Sequence, residues 1–133
     1  MARKDKSGGK GGDCVGIIGL GIMGGAFARN LIAAGWQVLG VDTDPARRKA
    51  MAKAGVKVCD HVKDVVAKAP VIITSLPNPK ALHAVAAGIA DASAPSRIVV
   101  EASTFALDDK LAAEKVLRKA GHTMLDCPVS GTG

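Results

Sequence analysis

From Cys14 onward the chain alternates short apolar runs with amphipathic stretches of helical length. The runs are CVGII (14–18), QVLGV (37–41), VKVC (56–59), PVIITSL (70–76), RIVVE (97–101) and HTMLD (122–126). Two of them, 70–76 and 97–101, are nearly continuous in valine and isoleucine, the pattern of parallel strands buried on both faces. Between the runs, periodicity predicts helices over about 22–34, 45–54, 61–68, 79–88 and 106–120. The first places Met23, Phe27, Leu31 and Ala34 on one face and closes at Gly35. The second has Asp44 as N-cap and Pro45 at the first helical position, and ends at Gly55.

Strand–helix alternation repeated this often implies right-handed crossovers and a parallel sheet with helices on both faces. Six strands at this spacing predict an α/β fold, a doubly wound parallel sheet of the Rossmann type with order 3-2-1-4-5-6. A single domain is expected over residues 14–133. Residues 1–13 are rich in Gly, Lys and Ser and are expected to form a disordered basic tail, because they have too little apolar surface to order themselves.

Composition narrows the function classes. Aromatic residues make up only 2% of the 133 residues (Phe27, Trp36 and Phe105), so the core must be aliphatic. Much of the net charge of +6 sits in the first dozen residues, and the remaining lysines and arginines are scattered without a stripe. That argues for a solvated surface and against a nucleic-acid partner. Cys14, Cys59 and Cys127 are odd in number and lack ligand spacing, so neither a disulfide framework nor a metal site is expected. Cys14 and Cys127 read as small apolar residues packed in or beside strands. His61, His83 and His122 show no partner pattern and read as structural or exposed. No secretory h-region and no run of membrane-span length occurs, so a soluble, cytoplasmic protein without a membrane partner is expected.

The most informative stretch is VGIIGLGIMGG, Val15 to Gly25. Gly19, Gly21 and Gly24 form G-x-G-x-x-G between an apolar strand and a helix. The first glycine allows a tight turn, the second lets backbone approach a pyrophosphate, and the third lets the helix lie close on the strand. The helix N-terminus then presents free N–H groups to an anion. Asp42, at the end of the second strand, lies about 20 residues beyond the glycines, where a carboxylate accepts hydrogen bonds from the adenosine ribose. Such a residue repels a 2′-phosphate, so NAD is expected over NADP. Arg47 and Arg48 keep NADP open, although the helix pattern reads them as solvated.

The segment GLGIMGGAFARNL (19–31) resembles the N-terminal signature of the β-hydroxyacid dehydrogenases, a family that includes 3-hydroxyisobutyrate and 6-phosphogluconate dehydrogenases. VIITSLPNP (71–79), VEAST (100–104) and DCPVSGTG (126–133) extend the resemblance in the same order. It implies that Gly19, Leu20, Gly21, Ile22 and Met23, with Gly24 behind them, wrap the pyrophosphate and that Asp42 holds the ribose. It implies further that Leu76 and Pro77 line the cofactor cleft, that Thr104 contacts the nicotinamide side, and that Ser130 and Gly131 bind substrate. Leu76 and Pro77 equally fit a plain strand end, and Ser103 or Thr104 is also placed to cap the 106–120 helix.

Phe27 stands where the family usually has a smaller or unbranched residue, and Thr132 replaces the second glycine of the usual S-G-G. The family's helical second domain, with its G-x-x-G-x-G-x-x-x-K-x-x-x-N stretch and proton-transferring lysine, is expected to be absent from this chain. No catalytic residue is therefore assigned within it. The resemblance implies the cofactor domain of an NAD(P)-dependent oxidoreductase acting on a small 3-hydroxy acid, binding cofactor without turnover and open to homo-oligomerisation. The alternatives are a non-catalytic dinucleotide-binding module and the cofactor domain of an imine reductase-like enzyme.

Overall fold

The structure, a computed structural model, describes residues 14–129. Eleven elements alternate: β1 (Cys14–Ile18), α1 (Ile22–Ala33), β2 (Gln37–Val41), α2 (Pro45–Ala54), β3 (Lys57–Val58), α3 (Val62–Lys68), β4 (Val71–Thr74), α4 (Pro79–Asp91), β5 (Ile98–Glu101), α5 (Leu107–Lys119) and β6 (Thr123–Asp126). The six strands form one sheet in the order 3-2-1-4-5-6, and every neighbouring pair is parallel. This is the Rossmann arrangement that the alternation predicts. No described helix is long and apolar enough to cross a membrane.

Local chemistry sets most element boundaries. Asp44 caps α2, its Oδ1 accepting from Ala46 N at 2.9 Å, and Pro45 takes the first helical position. Asn78 does the same for α4, accepting from Ala81 N at 2.8 Å ahead of Pro79. In both cases the side chain satisfies an amide that the helix leaves free. α4 runs three residues past its expected end at Gly88, because Ile89 is fully buried and holds the next turn against the sheet. α5 starts from Ala106 without a side-chain cap, so neither Ser103 nor Thr104 caps it.

Two cores sandwich the sheet. α1 and α2 pack on one face around Val15, Ile17, Leu20, Ala28, Val38 and Met51. α3, α4 and α5 pack on the other around Ile18, Leu39, Val65, Ile72, Leu82, Val99 and Leu117. Fully burying one such aliphatic side chain contributes about 1.5–3 kcal/mol. The expected stripe on α1 shifts. Its buried residues are Gly24, Gly25 and Ala28, while Phe27 and Leu31 flank the contact and Ala34 is exposed. The helix comes so close to the sheet that only the smallest residues fit the line of contact.

Two other expectations fail for a related reason. β5 is buried on one face only. Val99 and Glu101 point under α4 and α5, whereas Ile98 is 43% exposed on the opposite face, which α1 and α2 do not reach. Leu125 of β6 is 46% exposed on that same face. Cys127 lies past the end of β6 and is exposed rather than packed, unlike Cys14, whose thiol is pushed up from its ordinary value mainly by burial.

Arg97 is buried and, among the described residues, has no carboxylate among its hydrogen-bond partners. Its Nε and Nη2 donate to the carbonyls of Val66 and Ala67 at 2.8 and 3.0 Å, closing the end of α3. Its backbone N–H donates to His122 Nδ1 at 2.9 Å, which requires a neutral ring with its proton on Nε2. Burial, and secondarily the Arg97 charge, lower the His122 pKa from its ordinary value.

Candidate functional site

The carboxyl ends of the parallel strands all open on one edge of the sheet, where strand order reverses between β1 and β4. A cleft of about 510 Å³ occupies that switch point. Its walls come from the β1–α1 turn, the end of β2, the β4–α4 loop and the inner face of α4. A crevice at this position is where open α/β sheets accept ligands.

The floor is backbone. Gly19 has φ +99°, and a Cβ there would lie 2.0 Å from the Ser75 carbonyl oxygen. A Cβ on Gly24 would lie 1.7 Å from the Gly19 carbonyl oxygen. Only glycine at both positions lets the turn fold under the start of α1. Gly21 is the N-cap of α1, and no side chain among the described residues caps this terminus. The first-turn amides and the positive end of the helix dipole therefore face the cleft free of internal competition.

Asp42 closes the turn from the β2 side. Its Oδ2 accepts from Leu20 N at 2.7 Å and its Oδ1 from Asp44 N at 2.8 Å. A carboxylate offers about four acceptor sites, so two remain for a ligand. Leu20 turns its side chain into the core and commits its amide to Asp42. Arg47 is solvated, as expected, with half of its side chain exposed, and it also borders the cleft, its Nη1 3.9 Å from Asp42 Oδ2. Arg48 points elsewhere, to Asp60 at 2.7 Å.

Gly19, Gly21, Ile22, Met23, Asp42, Leu76 and Pro77 thus meet in one cleft, with Gly24 packed behind its floor. Thr104 stands apart from its lining, exposed on the loop after β5. Ser130 and Gly131 lie outside the described residues. The chain leading to them follows β5, with Cys127 N donating to Glu101 O at 2.9 Å and Val129 N to Ala102 O at 3.2 Å.

A buried polar cluster, not anticipated from sequence, holds the loops of this edge. Thr74, Glu101 and Asp126 are in register across β4, β5 and β6 and so share one face of the sheet. The hydroxyl of Thr74 donates to Glu101 Oε2, and Ser103 N donates to Glu101 Oε1 at 2.7 Å. Lys110 of α5 reaches in, its Nζ 3.4 Å from Glu101 Oε1, and donates to Ser103 O at 2.7 Å and to Asp126 Oδ1. Ser103 Oγ in turn accepts from Leu76 N at 2.8 Å. The available signal was that each of the last three strands ends on a polar residue, in VIIT, IVVE and TMLD.

Among known proteins, the chain matches over residues 14–133 the family model of the NAD-binding domain of 6-phosphogluconate dehydrogenase. It is 36% identical over 122 residues to the mitochondrial 3-hydroxyisobutyrate dehydrogenase of Rattus norvegicus, covering 88% of this chain and 36% of that one. A solved structure of the Mycobacterium tuberculosis 3-hydroxyisobutyrate dehydrogenase with L-serine superimposes with a TM-score of 0.86 at 31% identity, covering 90% of this chain and 41% of that one. An imine reductase from Streptomyces aurantiacus follows the same fold with a TM-score of 0.76 at 26% identity, covering 84% of this chain and 39% of that one. This chain therefore spans about two-fifths of the length of the relatives it matches.

Proposed function

The chain belongs to the family of NAD-binding domains of 6-phosphogluconate dehydrogenase, and from that premise we propose that it binds NAD at the switch-point cleft as the cofactor half of a hydroxyacid oxidoreductase. The observation that carries this reading is the uncapped start of α1 over a turn that only glycines can form, with a carboxylate beside it at the end of β2. The free amides suit a pyrophosphate. Gly21, Ile22 and Met23 supply that contact, Leu20 aligns the turn through its amide bond to Asp42, and Gly24 keeps α1 in place. Asp42 uses its remaining acceptor sites on the adenosine ribose.

NAD is favoured over NADP because the Asp42 carboxylate stands where a 2′-phosphate would go. The nearby Arg47 guanidinium is the feature that a phosphate would recruit if that preference were reversed. Leu76 and Pro77 close the far wall, and Thr104 serves the nicotinamide side, next to the segment that leads to Ser130 and Gly131 as substrate contacts. The nicotinamide, when bound, supplies hydride exchange with a carbinol carbon. The substrate class in this reading is a small 3-hydroxy acid, in keeping with the name of the rat relative.

Among the described residues lining the cleft there is no lysine, histidine or tyrosine to carry a proton to or from the substrate hydroxyl. The 133-residue chain alone is therefore proposed to bind cofactor without turnover, since proton transfer typically contributes about 10²–10⁴-fold. Fluorescence titration with NADH and NADPH, alongside an assay with 3-hydroxyisobutyrate, tests the reading. Saturable NADH binding, weaker NADPH binding and no turnover are expected. Absence of binding by either dinucleotide overturns it, and tighter NADPH binding reverses the cofactor assignment.

A further inference from the structure

Lys110 is a buried ammonium, with its side chain only 5% exposed, where α5 packs over the polar ends of β4 and β5. Its placement does not help the helix. It sits at the fourth helical position, where a cation opposes the helix dipole, just after Asp108 and Asp109, which favour it. Nor is it an efficient packing device. Burying an ion pair carries a desolvation penalty that an apolar pair of similar volume avoids. What the ammonium does provide is direction, because each of its contacts lies on a segment that borders the proposed site.

It donates to the carbonyl of Ser103, the residue before Thr104, and to Asp126, which begins the β6 exit toward Ser130. It also approaches Glu101, which holds Ser103 N. With Leu76 N on Ser103 Oγ, every polar atom of Ser103 is fixed. The Gly19–Asp42 side of the cleft has no contact with this cluster among the described hydrogen bonds.

We propose that Lys110 is a positioning residue for the nicotinamide side of the cleft. By tying the Thr104 loop to the β6 exit, it sets where the nicotinamide lies, and it leaves the adenosine side unaffected. The inference rests on the cofactor reading given above.

The test compares NADH with ADP-ribose, which lacks the nicotinamide, by calorimetric titration of the full chain. The ratio of the two affinities isolates the nicotinamide side. The unaltered chain is expected to favour NADH. Lys110→Met is expected to lower the ratio about tenfold, with ADP-ribose affinity changing less than about twofold, since misplacing a contact by a fraction of an ångström costs this much. Lys110→Arg should recover part of the ratio. If Lys110→Met loses its cooperative unfolding transition, the Glu101→Gln/Lys110→Met double variant removes the unpaired carboxylate and is titrated in its place. Asp126→Asn, at a half-exposed position, provides a milder variant, expected to lower the ratio about threefold.

An unchanged ratio in the lysine variants, or a parallel loss of both ligands, overturns the proposal. Equal affinity of the unaltered chain for both ligands overturns it as well, while leaving cofactor binding intact. Failure of the unaltered chain to bind either ligand overturns the cofactor reading itself.

Discussion

The two sides of the ligand edge are built from different materials. On the β1–β2 side the site is mostly backbone: a glycine turn, an open helix end and one carboxylate that hydrogen-bonds the turn to its neighbour. On the β4–β6 side the loops are held by side chains, in a row of buried Thr74, buried Glu101 and half-exposed Asp126 joined by Lys110. A backbone site tolerates no added atoms, because its shape is the absence of side chains. A charged cluster tolerates modest changes of shape but not the loss of one partner, because the remaining charge stays buried. The first side should therefore fail by steric clash and the second by electrostatic imbalance.

The largest effect is expected on the charged side. Lys110→Met leaves Glu101, which has no exposed surface, without its cation, and stability should fall by about 3–5 kcal/mol in denaturant unfolding. Adding Glu101→Gln should restore part of that loss. A double variant as unstable as the sum of the two singles would show that the pair is not coupled.

On the backbone side, Gly24→Val should cost about 1–3 kcal/mol by overpacking and abolish measurable NADH binding, because its Cβ meets the Gly19 carbonyl. Retained binding would mean that the turn is not the cofactor contact. Asp42→Asn keeps the shape but removes the charge. It is expected to weaken NADH about tenfold and to narrow its advantage over NADPH, as loss of a charge-assisted hydrogen bond does.

The smallest effect lies at the opposite end of the sheet. Folding lowers the His122 pKa, through burial first and Arg97 second, so the folded chain resists a proton that the unfolded chain accepts. Stability is then fully present above the ordinary histidine value of 6.5 and declines as pH falls below it. His122→Asn should flatten this part of the pH–stability curve, measured by thermal unfolding between pH 5 and about 7.5. An unchanged slope would remove His122 from the acid response.

The same division explains what could be read in advance. The strand runs, the caps at Asp44 and Asn78 and the G-x-G-x-x-G spacing are patterns among residues within a few positions of one another. Apart from the Ser103–Glu101 bond, the Lys110 cluster joins positions 7 to 27 residues apart, and nothing in the pattern of α5 marks Lys110 as anything but a surface lysine. That the solvated Arg47 also borders the cleft is likewise a tertiary outcome, since its direction depends on how α2 lies beside Asp42.

The sequence by itself determined the order of elements, the strand order that follows from alternation, and the glycine and aspartate that shape the turn, because backbone periodicity and turn geometry are local properties. Only the tertiary structure decided which polar strand ends share a row, which lysine is buried against them and which apolar residues of β5 and β6 stay uncovered. Those outcomes depend on the register between strands and on how far each helix reaches across the sheet, and neither is written in any one segment.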